Sequence, residues 1–209
     1  MKFAPEGYPF IAGSVLLALV LFLLGWNWIA WPALLLAIFV LNFFRDPERV
    51  SSSDPAAILS PADGRVIKVT RCQDDAHLGT EAHLISIFMS PLDVHVNRIP
   101  CDGQIADIRY AAGSFLRAYA DDASLGNERN AVFLDDANGR RICFVQVAGF
   151  VARRIVCHIK PGDVVRKGER YGMIRFGSRA DIYLPLGAEP QVKVGDRTTA
   201  GVTVLARWA

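Results

Sequence analysis

The sequence predicts a mainly β protein with a helical hairpin at its N-terminus, and three observations carry that expectation. From Gly7 to Phe44 no residue is charged. Beyond Arg45, short runs rich in β-branched and aromatic residues alternate with Asp-Gly, Asn-Gly and Pro-Gly turn signals. The 209 residues are 52% hydrophobic and 21% charged, which suits one sizeable core and excludes a disordered chain. Lys and Arg total 23 against 21 Asp and Glu, so no basic field is available for nucleic acid. The four cysteines, Cys72, Cys101, Cys143 and Cys157, form no CxxC pair and no Cys/His cluster at zinc spacing. Neither a metal site nor a disulfide framework is expected.

The hairpin comes first. Residues 10–24 and 28–44 are apolar runs joined by Gly25-Trp26-Asn27. As helices they would be about 22 and 26 Å long, slightly short of a hydrocarbon core of about 30 Å. A secretory signal would need a small-x-small cleavage site, and none follows. A shallow hairpin that never crosses is the competing arrangement. Trp26, Trp28 and Trp31 cluster with Asn27 at the connection, which suits a polar interface better than mid-bilayer and favours two short spans. Lys2 precedes the hairpin, Arg45 and Arg49 follow it, and the tip has no charge, so both ends are expected on the cytoplasmic face of the cell membrane. The expected organisation is a membrane-anchoring hairpin over 1–44 and a cytosolic β domain over 45–209, with Ser51-Ser52-Ser53-Asp54-Pro55 as the linker.

In the β domain, residues 65–69, 84–88, 142–147 and 155–157 read as strands and one helix is expected near 115–123. Ala62-Asp63-Gly64-Arg65-Val66 is loosely echoed by Lys160-Pro161-Gly162-Asp163-Val164-Val165. Two such units resemble the halves of a biotinyl/lipoyl-type β-sandwich (a barrel-sandwich domain), although no acceptor lysine occupies the tight turn a carrier would need.

Three segments carry candidate chemistry. In Arg175-Phe176-Gly177-Ser178-Arg179, a plain turn is the simplest account, and self-cleavage is the functional one. Gly177 leaves its carbonyl open to attack. The Ser178 hydroxyl could add to it, convert the amide to an ester, and leave by elimination; the resulting dehydroalanine takes up water and loses ammonia to become a pyruvoyl group. Such a hydroxyl needs a neighbouring base. Asp63, in Ser60-Pro61-Ala62-Asp63-Gly64, is either a turn residue or the group that orients or deprotonates that base. In Ser90-Pro91-Leu92-Asp93-Val94-His95-Val96-Asn97-Arg98, an extended backbone would put Asp93, His95 and Asn97 on one face. That face is either a solvated edge or a pocket wall, with His95 able to carry protons near neutral pH. His77, His83 and His158 have no such company and are read as structural. Arg153-Arg154 and the cluster Arg166, Lys167, Arg170 suit either solvent or anionic headgroups.

The order of these features along the chain is specific. An uncharged hairpin, then Phe43-Phe44-Arg45-Asp46-Pro47, SPADG, SPLDVHVNRIP, Asn127-Glu128-Arg129-Asn130, and Lys167-Gly168-Glu169 leading to Phe176-Gly177-Ser178 closely resembles the phosphatidylserine decarboxylase family in its short bacterial and archaeal form. The resemblance covers nearly the whole chain. It implies a zymogen that cleaves itself between Gly177 and Ser178, giving a β chain of residues 1–177 and an α chain of residues 178–209 capped by pyruvate from Ser178. It further implies decarboxylation of phosphatidylserine to phosphatidylethanolamine through a Schiff base to that covalent pyruvoyl cofactor. Asp63 matches the aspartate used in self-cleavage, and His95 the histidine assigned to decarboxylation. Two departures stand out. Longer members carry a second histidine where this chain has Arg98, so His95 or Asp63 would have to cover that step. They also follow the cleaved serine with a hydroxyl residue, where this chain has Arg179. The implied partners are a phospholipid in the membrane and the protein's own two chains; a homo-oligomer is compatible with the sequence.

Three alternatives compete with this reading. A pyruvoyl decarboxylase for a soluble amine would not require the uncharged N-terminal stretch. A membrane-anchored, non-catalytic β module would leave Gly177-Ser178 as a turn. An archaetidylserine decarboxylase would act on the same headgroup, which the sequence does not separate from the ester lipid.

Overall fold

A computed structural model describes residues 2–113, 127–149, 154–175 and 178–209. The helix expected near 115–123 lies outside the described residues, as do Arg153 and Gly177. The chain divides into two compact units, residues 1–48 and 49–209.

In the first unit, β1 (Lys2–Phe3) and β2 (Arg45–Asp46) pair antiparallel and close the ends of a hairpin formed by α1 (Tyr8–Leu23) and α2 (Asn27–Phe43). The helices meet through Leu21 and through Ala18, Ala30 and Ala33, the alanines being small enough to let two backbones approach closely. Their outer faces expose Leu16, Leu23, Trp28, Trp31 and Leu35. With the short 3-10 turn before it, α1 forms a 19-residue stretch, Pro5–Leu23, long and apolar enough to cross a membrane by length and composition; α2 is shorter.

The second unit is β throughout its described residues. Its strands are β3 (Ala57–Leu59), β4 (Gly64–Asp74), β5 (Thr80–Met89), β6 (Val96–Arg98), β7 (Gly103–Ala111), β8 (Arg129–Asp135), β9 (Arg141–Ala148), β10 (Ile155–Cys157), β11 (Val164–Val165), β12 (Arg170–Ile174), β13 (Ser178–Pro185), β14 (Ala188–Pro190), β15 (Arg197–Thr198) and β16 (Val204–Trp208). Eight of them form one sheet in the order β11-β7-β8-β9-β13-β5-β4-β15; β10-β12-β6 and β14-β16-β3 form two smaller sheets. The two echoed turn-strand units therefore stand near opposite edges of the large sheet, with β4 beside β15 and β11 outside β7.

One core joins the three sheets. On the inner face of the large sheet, Ile85, Ile87, Phe144 and Ile182 pack with Ile58, Tyr171, Ile174 and Leu205 from the other two. Full burial of each such side chain contributes about 1.5–3 kcal/mol. The outer face is apolar as well, carrying Leu84, Phe133, Cys143, Val145, Val147 and Tyr183, so the central strands are buried on both sides. Cys101 and Cys143 lie in these cores, where burial pushes the Cys101 thiol up to about 12 and the Cys143 thiol well above its ordinary value. They act as small apolar side chains.

The segment read as a linker is tied to the β unit. Ser51 Oγ donates to the Gly201 carbonyl at 2.8 Å, Asp54 pairs with Arg207, and Lys167 Nζ donates to the Asp54 carbonyl. Of the basic residues read as headgroup candidates, Arg154, Arg166 and Arg170 are exposed.

Candidate active site

Ser178 opens β13 and is completely buried. It stands on one rung of the large sheet between Met89 of β5 and Ala148 of β9. Residues on one rung project to the same face, so the Ser178 hydroxyl meets the Met89 thioether and donates to Sδ across 3.2 Å. A thioether is a weak acceptor, which orients the hydroxyl while leaving it reactive.

The far side of that rung is fastened by Asn127-Glu128-Arg129-Asn130. Asn127 Nδ2 donates to the Ala148 carbonyl at 2.7 Å, and the Ala148 amide donates to the Glu128 carbonyl at 2.9 Å. Glu128 in turn accepts from the Tyr110 hydroxyl at 3.1 Å.

His95 is also completely buried, in the connection between β5 and β6. Its carbonyl accepts from the Ile174 amide at 3.3 Å, so it lies against the end of the strand that runs on toward Ser178. His95 Nδ1 is 2.9 Å from the Asp93 carbonyl. A carbonyl only accepts, so Nδ1 carries the proton of that bond and Nε2 is the basic nitrogen of the neutral ring.

The expected common face of Asp93, His95 and Asn97 does not form. Residues 90–93 make a turn: the Asp93 amide donates to the Ser90 carbonyl at 2.9 Å, and the Asp93 carboxylate accepts from the Ser90 amide at 2.8 Å and pairs with Arg197 at 3.2 Å. Local hydrogen bonding by the Asp side chain, next to a proline, outcompetes an extended backbone here. The strand begins only at Val96.

Asp63 sits just before β4. Gly64 lets that strand close on β5, because a Cβ there would run into the Phe88 carbonyl oxygen. Arg65 opposes Phe88, which opposes Arg179 on its other side. Asp63 is therefore two strands from the Ser178 rung, a separation of about 10 Å at the usual strand spacing. Its carboxylate takes a two-pronged contact from Arg49, at 2.6 and 2.8 Å, and a third hydrogen bond from the Ala200 amide at 2.7 Å. Arg98 joins the same corner: its guanidinium donates to the Gly168 carbonyl at 3.0 Å, and a Cβ at Gly201 would press on its side chain. Arg179 points to the opposite face from Ser178 and pairs with Asp181 at 2.9 Å.

Both members of the Arg49–Asp63 pair are mostly buried, with side-chain exposures of 7% and 15%. Removing one partner of a buried pair strands the other. Arg49→Met is expected to lower stability by about 3 kcal/mol, read as a drop in the urea midpoint at unchanged slope. A loss under about 1 kcal/mol would put the pair in the class of surface ion pairs.

His77, His83 and His158 have structural settings. His77 Nδ1 contacts Asp74 at 2.8 Å and its ring lies 4.3 Å from that of Tyr183. Burial lowers the pKa of His83, and the His158 amide is tied to the Tyr171 carbonyl. Among the described residues no three His, Cys, Asp or Glu side chains converge as metal ligands.

Comparison with known proteins gives this arrangement a family. The model of the family described as phosphatidylserine decarboxylase matches residues 36–206. The chain belongs to the phosphatidylserine decarboxylase family. It is 50% identical over 206 residues to the phosphatidylserine decarboxylase proenzyme of Nitrosomonas eutropha, covering 98% of this chain and 94% of that one. The proenzyme of Burkholderia lata is 47% identical over 203 residues, covering 97% and 94%, and that of Nitrosomonas europaea 49% over 206, covering 98% and 94%. The side chains here that the sequence alone did not single out are Met89 and Gln146; Asn97 reads there only as sharing a face with Asp93 and His95, and Arg49 only as a charge flanking the hairpin. The readable signal for one of them was a glutamine inside the apolar run Ile142-Cys143-Phe144-Val145-Gln146-Val147.

Proposed function

We propose that this chain is a zymogen that cleaves itself between Gly177 and Ser178 and then decarboxylates phosphatidylserine to phosphatidylethanolamine. The observation that carries the reading is a buried hydroxyl at the first residue of a strand, donating to a thioether. Its neighbours on the rung, Met89 and Ala148, bring no charge, so a small uncharged keto group in place of the serine fits the setting. A pyruvoyl group there supplies an electron-accepting carbonyl for a primary-amine substrate.

In this reading His95 takes the Ser178 hydroxyl proton at Nε2 during self-cleavage, and in turnover returns a proton to the carbon that has lost carboxylate. The Asp93 carbonyl keeps a proton on Nδ1, so Nε2 is the nitrogen that accepts the hydroxyl proton and, when the ring is protonated there as well, the one that gives a proton to carbon. Asp63 contributes through its pair with Arg49 by fixing the corner where residues 49–51, 98, 168 and 200–201 meet. The echoed turns before β4 and β11 are the units that a biotinyl/lipoyl-type sandwich would relate.

The apolar hairpin supports a membrane location, and the charges at Lys2 and Arg45 favour a cytoplasmic face. The acyl chains would then stay in the bilayer while the headgroup enters the site. Purified protein mixed with vesicles containing phosphatidylserine is expected to release CO2 and form phosphatidylethanolamine; unchanged lipid would contradict the reading. Deleting residues 1–44 is expected to weaken action on vesicles more than on a dispersed short-chain substrate. Equal loss on both would remove the hairpin from substrate access.

A further inference from the structure

A chain of buried side-chain amides ends on the same sulfur as Ser178. Gln146 Nε2 donates to the Val156 carbonyl at 3.3 Å and to Asn97 Oδ1 at 3.0 Å. Gln146 Oε1 accepts from Asn130 Nδ2 at 3.1 Å. Asn97 Nδ2 faces the Pro61 carbonyl at 3.4 Å and Met89 Sδ at 3.9 Å. Asn97 and Gln146 are completely buried and Asn130 is 3% exposed. The carbonyls of Val156 and Pro61 only accept, so they fix which end of each amide is nitrogen. With Gln146 held that way, Asn97 presents its N–H groups to Met89.

The amides also bridge the layers. Asn130 and Gln146 face each other on β8 and β9, and Gln146 opposes Ala180, two residues along β13 from Ser178. Asn97 comes from β6 in the smaller sheet. Amides buried in a core of Ile, Phe and Met cost free energy unless paired, and a paired series specifies one arrangement. Methionine is unbranched and flexible, so its sulfur stays against the Ser178 hydroxyl only if its other side is held.

We propose that Asn97 and Gln146 are positioning residues for self-cleavage, fixing through the Met89 sulfur the rotamer from which the Ser178 hydroxyl attacks. The inference rests on the proposed cleavage at Gly177–Ser178 and names the side chains that set its rate. Attack on a neighbouring carbonyl needs the reacting atoms aligned at about 3–3.5 Å, so a loosened rotamer slows cleavage without unfolding the chain.

The test follows division of the full-length chain after synthesis in a cell-free system, on denaturing gels, with the melting transition measured in parallel. Met89→Leu keeps the core volume roughly constant and removes the acceptor; it is expected to slow division at least tenfold with a near-normal transition. Gln146→Glu is read from its pH profile. Its protonated form can still donate to Asn97, whereas its carboxylate cannot. Division of this variant is expected to slow as pH rises, while that of the wild type, which uses a base, speeds up. Among the described residues, Cys157 on β10, Tyr171 on β12, Arg98 on β6, Glu128 before β8 and His95 before β6 are the titratable or charged groups on the side of the sheet that Gln146 faces, while Cys143 of β9 and Arg179, Asp181 and Tyr183 of β13 lie on its other face. They are common to both proteins, so the difference between the profiles reports residue 146. A merely structural role for Gln146 would leave the shape of the profile unchanged.

Wild-type rates and profiles in both variants would overturn the inference. If Met89→Leu fails to fold, the Gln146→Glu profile decides alone. A wild-type chain that never divides would instead overturn the self-cleavage reading, and this inference with it.

Discussion

Ser178→Ala is expected to leave the protein as a single chain with no decarboxylase activity. The substitution removes one oxygen from a fully buried position between Met89 and Ala148, and the bond lost is a weak one to sulfur. Stability should change by no more than about 1 kcal/mol, so the variant folds and the comparison with wild type is clean. What disappears is the only atom at residue 178 able to add to the preceding carbonyl. Without that addition there is no ester, no elimination and no pyruvoyl group. Two chains of wild-type size from the Ser178→Ala protein would end the assignment.

His95→Ala is expected to lower decarboxylation, counted per mature site, by about 10² to 10⁴, the usual contribution of a positioned acid or base. Asparagine at the same position separates proton transfer from packing. His95→Asn keeps a polar side chain able to bond the Asp93 carbonyl but cannot carry a proton near neutral pH. Equal losses in the two variants are the expected result. Recovery of turnover in His95→Asn would make the residue a spacer, and normal turnover in His95→Ala would remove it from the site. The same variants report on maturation, since Arg98 is committed to the Gly168 carbonyl and His95 lies against the strand leading to Ser178.

The parts of this fold that were legible in the sequence are those decided by local pattern. A run without charge gave both helices to within two residues, since apolar residues fill both helices and the contact between them. Strands rich in β-branched residues and their glycine turns were legible for the same reason. The misread face at Asp93 also has a local cause, a side chain that preferred its own turn to the strand. Long-range pairing is another matter. Arg49 stands 14 residues before Asp63 and looked like part of a membrane flank, yet it forms that residue's main contact. Asn97, Gln146 and Asn130 meet because β6 brings Asn97 to β9 and β8 pairs with β9, which no spacing along the chain announces. Arg179 and Asp181 alternate as a solvent-facing pair would, but both are buried on the outer face.

The most direct test of the central claim is the intact mass of the purified protein under denaturing conditions. The account predicts two chains: one ending at Gly177, and one of 32 residues (178–209) that is lighter by one ammonia than the same peptide beginning with serine. A single mass of 23.0 kDa from protein that is folded and complete would contradict it, and would leave Gly177-Ser178 as a turn in a membrane-anchored β module.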